Sequence, residues 1–121
     1  MSKSYVEITD SINRGIAELR KAAPDALSGF TAMARGAMKA GALSERHKEL
    51  IALAIGVAGR CDGCIGFHAK ALVRLGATRE EVMETLAVAV YMGGGPSLMY
   101  AASAIKAFDE FATTASSGKI A

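Results

Sequence analysis

The sequence predicts an all-α fold of about six helices, and three observations lead to that prediction. Apolar residues recur at three- and four-residue spacing along most of the chain, as on the buried face of a helix. Residues that cap or open helices precede these runs, and glycine or proline separates them. No segment shows the alternation of a half-buried strand. With 121 residues we expect a single domain over 1–121, with frayed ends at 1–4 and 113–121.

The first two helices are predicted from local start signals. Ser4 and Glu7 have the spacing of a capping box, and Pro24 suits the first position of helix two. The apolar stripe of helix one is Ile8, Ile12, Ile16 and Leu19. The expected buried face of helix two is Leu27, Phe30, Ala34, Ala37 and Met38, with Gly41 as its C-terminal cap.

The next four helices follow in the same way. Ser44 caps helix three, whose apolar second half over 50–58 we expect to be buried on every side. Helix four begins within 61–64 and ends at Gly76, and Thr78 caps helix five as far as Tyr91. Pro96 opens helix six, with the stripe Leu98, Ala101, Ile105, Phe108 and Ala112. The uncharged stretch 85–105 is broken at 93–96, so it predicts two buried helices rather than a membrane span.

Hydrophobic content and net charge indicate which kinds of partner the protein binds. Hydrophobic residues make up 51% of the chain and mean hydropathy is +0.26, which is high for so small a protein and predicts a homo-oligomer. The net charge of +2 is too balanced to favour nucleic acid or an anionic membrane. The first residues lack a secretory signal pattern, so we expect a cytoplasmic protein.

The only two cysteines of the chain flank Asp62 and Gly63, and His68 follows four residues after Cys64. Cysteines three residues apart in a first helical turn are close enough for a small adjustment to form a disulfide. A thiol at a helix N-terminus is activated by free backbone N–H groups, and His68 one turn further can accept its proton. Two sulfurs and a base suffice for a cycle in which one thiol becomes a sulfenic acid and the other condenses with it.

Glu49 is the predicted fourth member of this site. Its neighbours three, four and seven residues further on are Ala52, Leu53 and Gly56, so its carboxylate faces a small apolar surface. A buried carboxylate needs a partner, and a histidine of the next helix is a suitable one. We therefore expect Glu49 and His68 to pair and to move protons.

Glu49, the Cys61–Cys64 pair, His68 and the 93–96 turn together resemble the AhpD-like alkylhydroperoxidase branch of the carboxymuconolactone decarboxylase superfamily. The resemblance covers about 44–111. It implies an all-helical trimer or hexamer with the cysteine pair at the start of the fourth helix, which reduces hydroperoxides.

The resemblance also implies a catalytic role for each residue of the site. Cys64 would be the peroxidatic thiol, Cys61 the resolving thiol, and Glu49 with His68 the proton relay. The substrate would be a hydroperoxide or a disulfide, and a dithiol of lipoyl, thioredoxin-like or another kind would restore the enzyme. No cofactor and no metal are expected in this cycle.

Gly63 departs from the family pattern, because the well-studied enzymes carry a second histidine between the cysteines. The departure predicts slow peroxide turnover or a substrate other than a peroxide. Lactone decarboxylation fits poorly, since the branch that performs it lacks the cysteine pair.

Two other interpretations remain open at this point. The cysteines could be small core residues, or the chain could be a metal-binding or redox-sensing oligomer without peroxidase turnover. A tetrahedral zinc site needs four ligands, and His47 is the only histidine besides His68. We expect His47 to be exposed in the first turn of helix three.

Overall fold

The computed structural model describes residues 3–117, and this part of the chain folds into six helices. They are α1 (Tyr5–Ala22), α2 (Pro24–Met38), α3 (Glu45–Ala58), α4 (Asp62–Arg74), α5 (Arg79–Gly93) and α6 (Gly95–Ser116). The all-α prediction is confirmed, and so is the position of the cysteine pair at the start of the fourth helix.

Helix α4 lies in the middle of the bundle, in contact with α1, α3 and α6, while α5 packs against α3 and α6. The core between them is aliphatic and alanine-rich, with two phenylalanines from α6. Its fully buried larger side chains include Leu53, Val57, Ile65, Leu72, Val82 and Phe111. Helix α4, which carries the cysteine pair at its start, is therefore covered on three sides by other helices.

The predicted caps at Ser4, Ser44 and Thr78 all form, since each side chain accepts the backbone N–H three residues further on. The complete capping box exists only at Thr78. At α1 the carboxylate comes from α6 instead: Glu110 accepts hydrogen bonds from the Ser4 hydroxyl and the Tyr5 backbone N–H, both at 2.7 Å. Residues 3 and 4, for which the sequence predicts fraying, both make side-chain contacts.

The prediction of a buried face on α2 is wrong for this chain. The helix has no buried residue, and Phe30 and Met33 are each 64% exposed. Apolar periodicity shows that a face is suited to burial, but α2 contacts only α1 and α3 and both contacts are small. Gly41 is not the cap either, because α2 ends at Met38 and the chain is extended at Lys39.

The prediction that α3 is buried on every side is also wrong. Leu53 and Val57 are buried, whereas Ile51 and Ile55 are 48% and 67% exposed. These two residues line an apolar groove of about 450 Å³ between α3 and α5. Exposure continues around the α5–α6 turn, where the exposed side chains are Val88, Tyr91, Met92, Leu98 and Met99.

The break predicted between helices five and six is confirmed at Gly94, whose φ is +77°. Helix α6 continues to Ser116, three residues past the predicted start of fraying at Thr113. Residues 1–2 and 118–121, on which the rest of the fraying prediction falls, lie outside the described part of the chain. None of the helices over 3–117 has the length and apolar character needed to cross a bilayer.

Candidate active site

The two cysteines are joined by a disulfide at the N-terminus of α4, with their Cα atoms 5.2 Å apart. Cys61 is the N-cap, and its sulfur accepts the backbone N–H of Cys64 at 3.1 Å. Both side chains are partly buried. The predicted proximity of the two sulfurs is confirmed, and one of them faces the positive end of the helix dipole.

The C-terminus of α3 delivers Cys61 to this position. The Cys61 N–H donates to the carbonyl of Gly56 at 3.0 Å and the Arg60 N–H to that of Val57 at 3.1 Å, which is the hydrogen-bond pattern of a Schellman-type helix end. Arg60 occupies the left-handed position with φ of 57°, where glycine is usual. Helix α3 therefore ends and α4 begins within a few residues, with the cysteine at the junction.

Close packing of α3 on α4 fixes the position of Cys64. A Cβ atom built on Gly56 would lie 3.0 Å from the Cys64 Cβ, which is closer than nearly all real Cβ contacts, so a side chain there would push the two helices apart by a few tenths of an ångström. Gly56 is buried and stands two turns after Glu49 on the same face of α3. The absence of a side chain at position 56 thus lets the cysteine helix approach the helix that carries the carboxylate.

Glu49 and His68 meet across this interface, as the sequence predicts. The His68 Nδ1 donates to Glu49 Oε1 at 2.6 Å, and the two side chains are 31% and 9% exposed. Because Nδ1 is engaged by the carboxyl group, Nε2 is the ring nitrogen left for proton exchange. The imidazole is one helical turn after Cys64 and on the same face of α4.

Gly63, at the position where the resemblance implies a second histidine, lies under α1. A Cβ at this position would be 2.7 Å from the Cδ1 atom of Ile12. A methyl group could be accommodated by a rotation of Ile12, but an imidazole would need a larger displacement of the α1 side chains. The structure therefore gives a packing reason for the departure: α1 covers the face on which that histidine would stand.

Asp62, between the cysteines, is bound by residues that sequence analysis did not single out. Its Oδ2 accepts from Lys3 Nζ at 2.8 Å, and its Oδ1 accepts from the Tyr5 hydroxyl at 3.1 Å. The hydrogen bond to Asp62 raises the pKa of Lys3, and burial raises the pKa of Tyr5. Lys3 lies 59 residues away in sequence, and no local pattern signals that contact.

Comparison with known families identifies the architecture. The profile of the carboxymuconolactone decarboxylase family matches residues 24–107, which is more than half of the chain. The chain belongs to the carboxymuconolactone decarboxylase family. The family includes enzymes, among them decarboxylases and AhpD-type peroxidases.

Two similar proteins have names that state no activity. An uncharacterised protein of Cupriavidus necator is 44% identical over 98 residues, covering 81% of this chain and 87% of that protein. An uncharacterised protein in the cox locus of Paracoccus denitrificans is 38% identical over 81 residues, covering 67% of this chain and 73% of that protein.

Two crystal structures of family members share the fold. A carboxymuconolactone decarboxylase family protein of Legionella pneumophila in its apo form has a TM-score of 0.88 at 56% identity, covering 89% of this chain and 96% of that one. A family protein of Thermotoga maritima, described as a candidate for involvement in antioxidative response, has a TM-score of 0.82 at 25% identity, covering 93% of this chain and 96% of that one.

His47 is exposed in the first turn of α3, as the sequence predicts. Its Nδ1 lies 2.9 Å from the Ser44 hydroxyl. Within residues 3–117, no three His, Cys, Asp or Glu side chains are grouped as a metal site would require.

Proposed function

We propose that this protein is a thiol-dependent peroxidase, or a closely related disulfide oxidoreductase, that reduces hydroperoxides through Cys61 and Cys64. The observation that carries the proposal is the cysteine pair at the start of α4, one turn before a histidine that is hydrogen-bonded to a buried glutamate. The antioxidative role suggested for the Thermotoga maritima relative supports the same class of chemistry.

The oxidative half of the cycle begins with the thiolate of Cys64. Its sulfur attacks the terminal oxygen of a hydroperoxide, so an S–O bond forms, the O–O bond breaks and an alkoxide leaves. Cys61 then attacks the sulfenic sulfur, the S–S bond forms and hydroxide leaves. With two protons from the two thiols, the peroxide is reduced to an alcohol and water while the dithiol is oxidised to the disulfide.

The pair of His68 and Glu49 moves the protons in this proposal. Nε2 accepts the thiol proton before the attack and returns it to the alkoxide afterwards. Glu49, which accepts from Nδ1 at 2.6 Å, holds the ring in the tautomer that leaves Nε2 available and stabilises the imidazolium that forms transiently. A dithiol reductant, of lipoyl, thioredoxin-like or another kind, regenerates the enzyme by thiol–disulfide exchange.

The two sulfurs are in different surroundings, which suits two roles. Cys64 stands one turn before His68, whereas the Cys61 sulfur accepts the Cys64 N–H at 3.1 Å. When the disulfide is reduced, that N–H favours negative charge on Cys61 and makes it a good leaving group for the reductant that attacks Cys64. Because Gly63 supplies no second base, Cys61 depends on this helix terminus alone.

The test is stopped-flow mixing of the reduced protein with cumene hydroperoxide or hydrogen peroxide. Wild-type protein should consume one equivalent and form the Cys61–Cys64 disulfide. Cys61→Ser should react at a similar rate and accumulate a sulfenic acid that dimedone traps, since no resolving thiol remains. Cys64→Ser should react no faster than free cysteine.

Two outcomes would contradict the proposal, and another would decide between its peroxidase and disulfide-oxidoreductase forms. If Cys64→Ser reacts as fast as wild type while Cys61→Ser does not, the attacking thiol is Cys61. If neither peroxide oxidises wild-type protein but a dithiol and a disulfide exchange with it readily, the protein is a disulfide oxidoreductase rather than a peroxidase. If the protein reacts with the peroxides, the dithiol and the disulfide no faster than free cysteine does, the site is inactive and the protein is a structural oligomer.

We also propose that the functional unit is a homo-oligomer, a trimer or a hexamer. The support is the apolar groove between α3 and α5 together with the exposed apolar residues of the α5–α6 turn, because Ile55, Val88, Tyr91 and Met92 are each at least 60% exposed. A monomeric protein rarely leaves so many large apolar side chains in water on one side.

A further inference from the structure

We infer that Asp62 and Lys3 form a positioning pair that sets how readily the Cys61–Cys64 disulfide is reduced. The inference rests on the proposed thiol–disulfide function and adds two residues to it. Neither residue touches the substrate in this account; both act through the charge they place beside Cys61.

The first observation is that both oxygens of the Asp62 carboxylate are held by the segment at the start of α1. Lys3 Nζ donates to Oδ2 at 2.8 Å and the Tyr5 hydroxyl donates to Oδ1 at 3.1 Å. Tyr5 is 2% exposed, so its hydroxyl is a fixed donor from the protein interior. Burial raises the pKa of Tyr5, which keeps that donor protonated. The carboxylate is therefore held in one orientation, with the Lys3 ammonium group beside it.

The second observation is the place of this carboxylate in the motif. Asp62 is the first residue of α4 and directly follows Cys61, whose sulfur caps the helix. Reduction of the disulfide produces negative charge at that sulfur, and an uncompensated carboxylate next to it opposes the charge. Lys3 offsets the carboxylate and so favours the reduced form. The other charged groups near the motif are the exposed Arg60 and, one turn beyond Cys64, the His68–Glu49 pair.

The reaction that reports this effect is exchange with glutathione. Two glutathione thiols give two electrons to the protein disulfide and become glutathione disulfide, while the protein takes up the protons that its new thiols hold at the working pH. The equilibrium constant is obtained by quenching mixtures with acid and counting free protein thiols. A structural role in packing alone would not move this constant systematically with charge.

Lys3→Met should lower the equilibrium constant for reduction by about two- to fivefold, the range expected for a partly exposed ion pair. Asp62→Asn should raise it by a similar factor, because the amide keeps the shape and can still accept from Tyr5. Lys3→Arg should restore the wild-type value. Lys106→Met is the matched control, since it removes one exposed lysine of α6 and should leave the constant unchanged.

Two further measurements separate this mechanism from a general charge effect. In the Asp62→Asn background, Lys3→Met should change the constant less than in wild type, because its main partner is gone. In about 1 M salt, where the screening length is about 3 Å, the effect of Lys3→Met should shrink. Circular dichroism checks that each variant remains helical.

The inference is wrong if Lys3→Met and Lys106→Met shift the constant equally, or if Asp62→Asn makes the disulfide harder to reduce. It is also wrong if Lys3→Arg behaves like Lys3→Met. The glutathione experiment does not depend on peroxidase activity. Even if the protein fails to reduce hydroperoxides, the equilibrium with glutathione still shows whether Lys3 and Asp62 affect reduction of the disulfide.

Discussion

His68 and Glu49 are 19 residues apart in sequence and on different helices, yet the His68 Nδ1 donates to Glu49 Oε1 at 2.6 Å. The carboxylate is almost completely buried and the imidazole is about one-third exposed. The carboxyl group is thus inside the bundle, and the imidazole ring lies between it and the surface. The contact exists because Gly56 and its neighbours on α3 let α4 pack closely.

Glu49→Gln should slow the reaction of the reduced protein with hydroperoxide by at least about tenfold, because general acid–base contributions are typically 10²-fold or more. The amide cannot stabilise an imidazolium and can hold the ring in the wrong tautomer. The measurement is the stopped-flow rate at pH 7. Glu84→Gln, on the exposed side of α5, is the matched control, and equal rates for the two variants would remove Glu49 from the mechanism.

Arg60→Gly should stabilise the protein by about 1 kcal/mol, since Arg60 has φ of 57° and a left-handed conformation costs about that much for a residue with a Cβ. Chemical denaturation of the oxidised protein measures the change. Arg60→Ala removes the same charge but keeps the Cβ, so it should show no such gain. If both variants are stabilised equally, side-chain charge rather than backbone strain is the cause.

Glu81→Gln should make the stability of the protein less sensitive to acid. The Thr78 backbone N–H donates to Glu81 Oε1 at 2.8 Å, and this bond lowers the pKa of Glu81 from its ordinary 4.5. Because the folded state binds the proton less tightly than the unfolded state, the charge stabilises the fold above pH about 4.5 and ceases to do so as pH falls through the folded pKa.

Urea denaturation at pH 7 and at pH 3 tests this. At pH 7 the wild-type protein should be more stable than Glu81→Gln. This difference in the free energy of unfolding should become smaller at pH 3. Glu80→Gln, next to it in the first turn but without this contact, serves for comparison. A difference that grows with acid would mean that the bond is not what holds the pKa down.

Ile55→Glu should dissociate the proposed oligomer, because Ile55 is 67% exposed beside the α3–α5 groove and a charge there would have to be buried at a subunit contact. Light scattering at micromolar concentration measures the mass. Leu19→Glu is the control, since Leu19 is 53% exposed on α1, which contacts neither α3 nor α5. If Leu19→Glu dissociates the assembly and Ile55→Glu leaves it intact, the subunit interface includes the exposed face of α1 and not the α3–α5 groove.

Local signals were enough for much of this protein. Helix starts at Ser4, Ser44 and Thr78 depend on a side chain and a backbone N–H three residues away, so the sequence predicts them directly. The proximity of Cys61 and Cys64 and the position of His68 one turn later follow from helix geometry alone. The inward direction of Glu49 could be predicted because its helical neighbours are small and apolar.

Tertiary structure decided the features that depend on what lies next to a helix. Periodicity marked α2 and the second half of α3 as apolar, but Phe30 and Ile55 are exposed because no other helix within residues 3–117 covers them. Glu110 replaces Glu7 at the start of α1, and Lys3 reaches Asp62 across 59 residues; such long-range contacts leave no spacing pattern to recognise. The sequence by itself thus determined the helices and the closeness of the two sulfurs, whereas the packing of α1 and α3 on α4 decided which charged groups surround that pair.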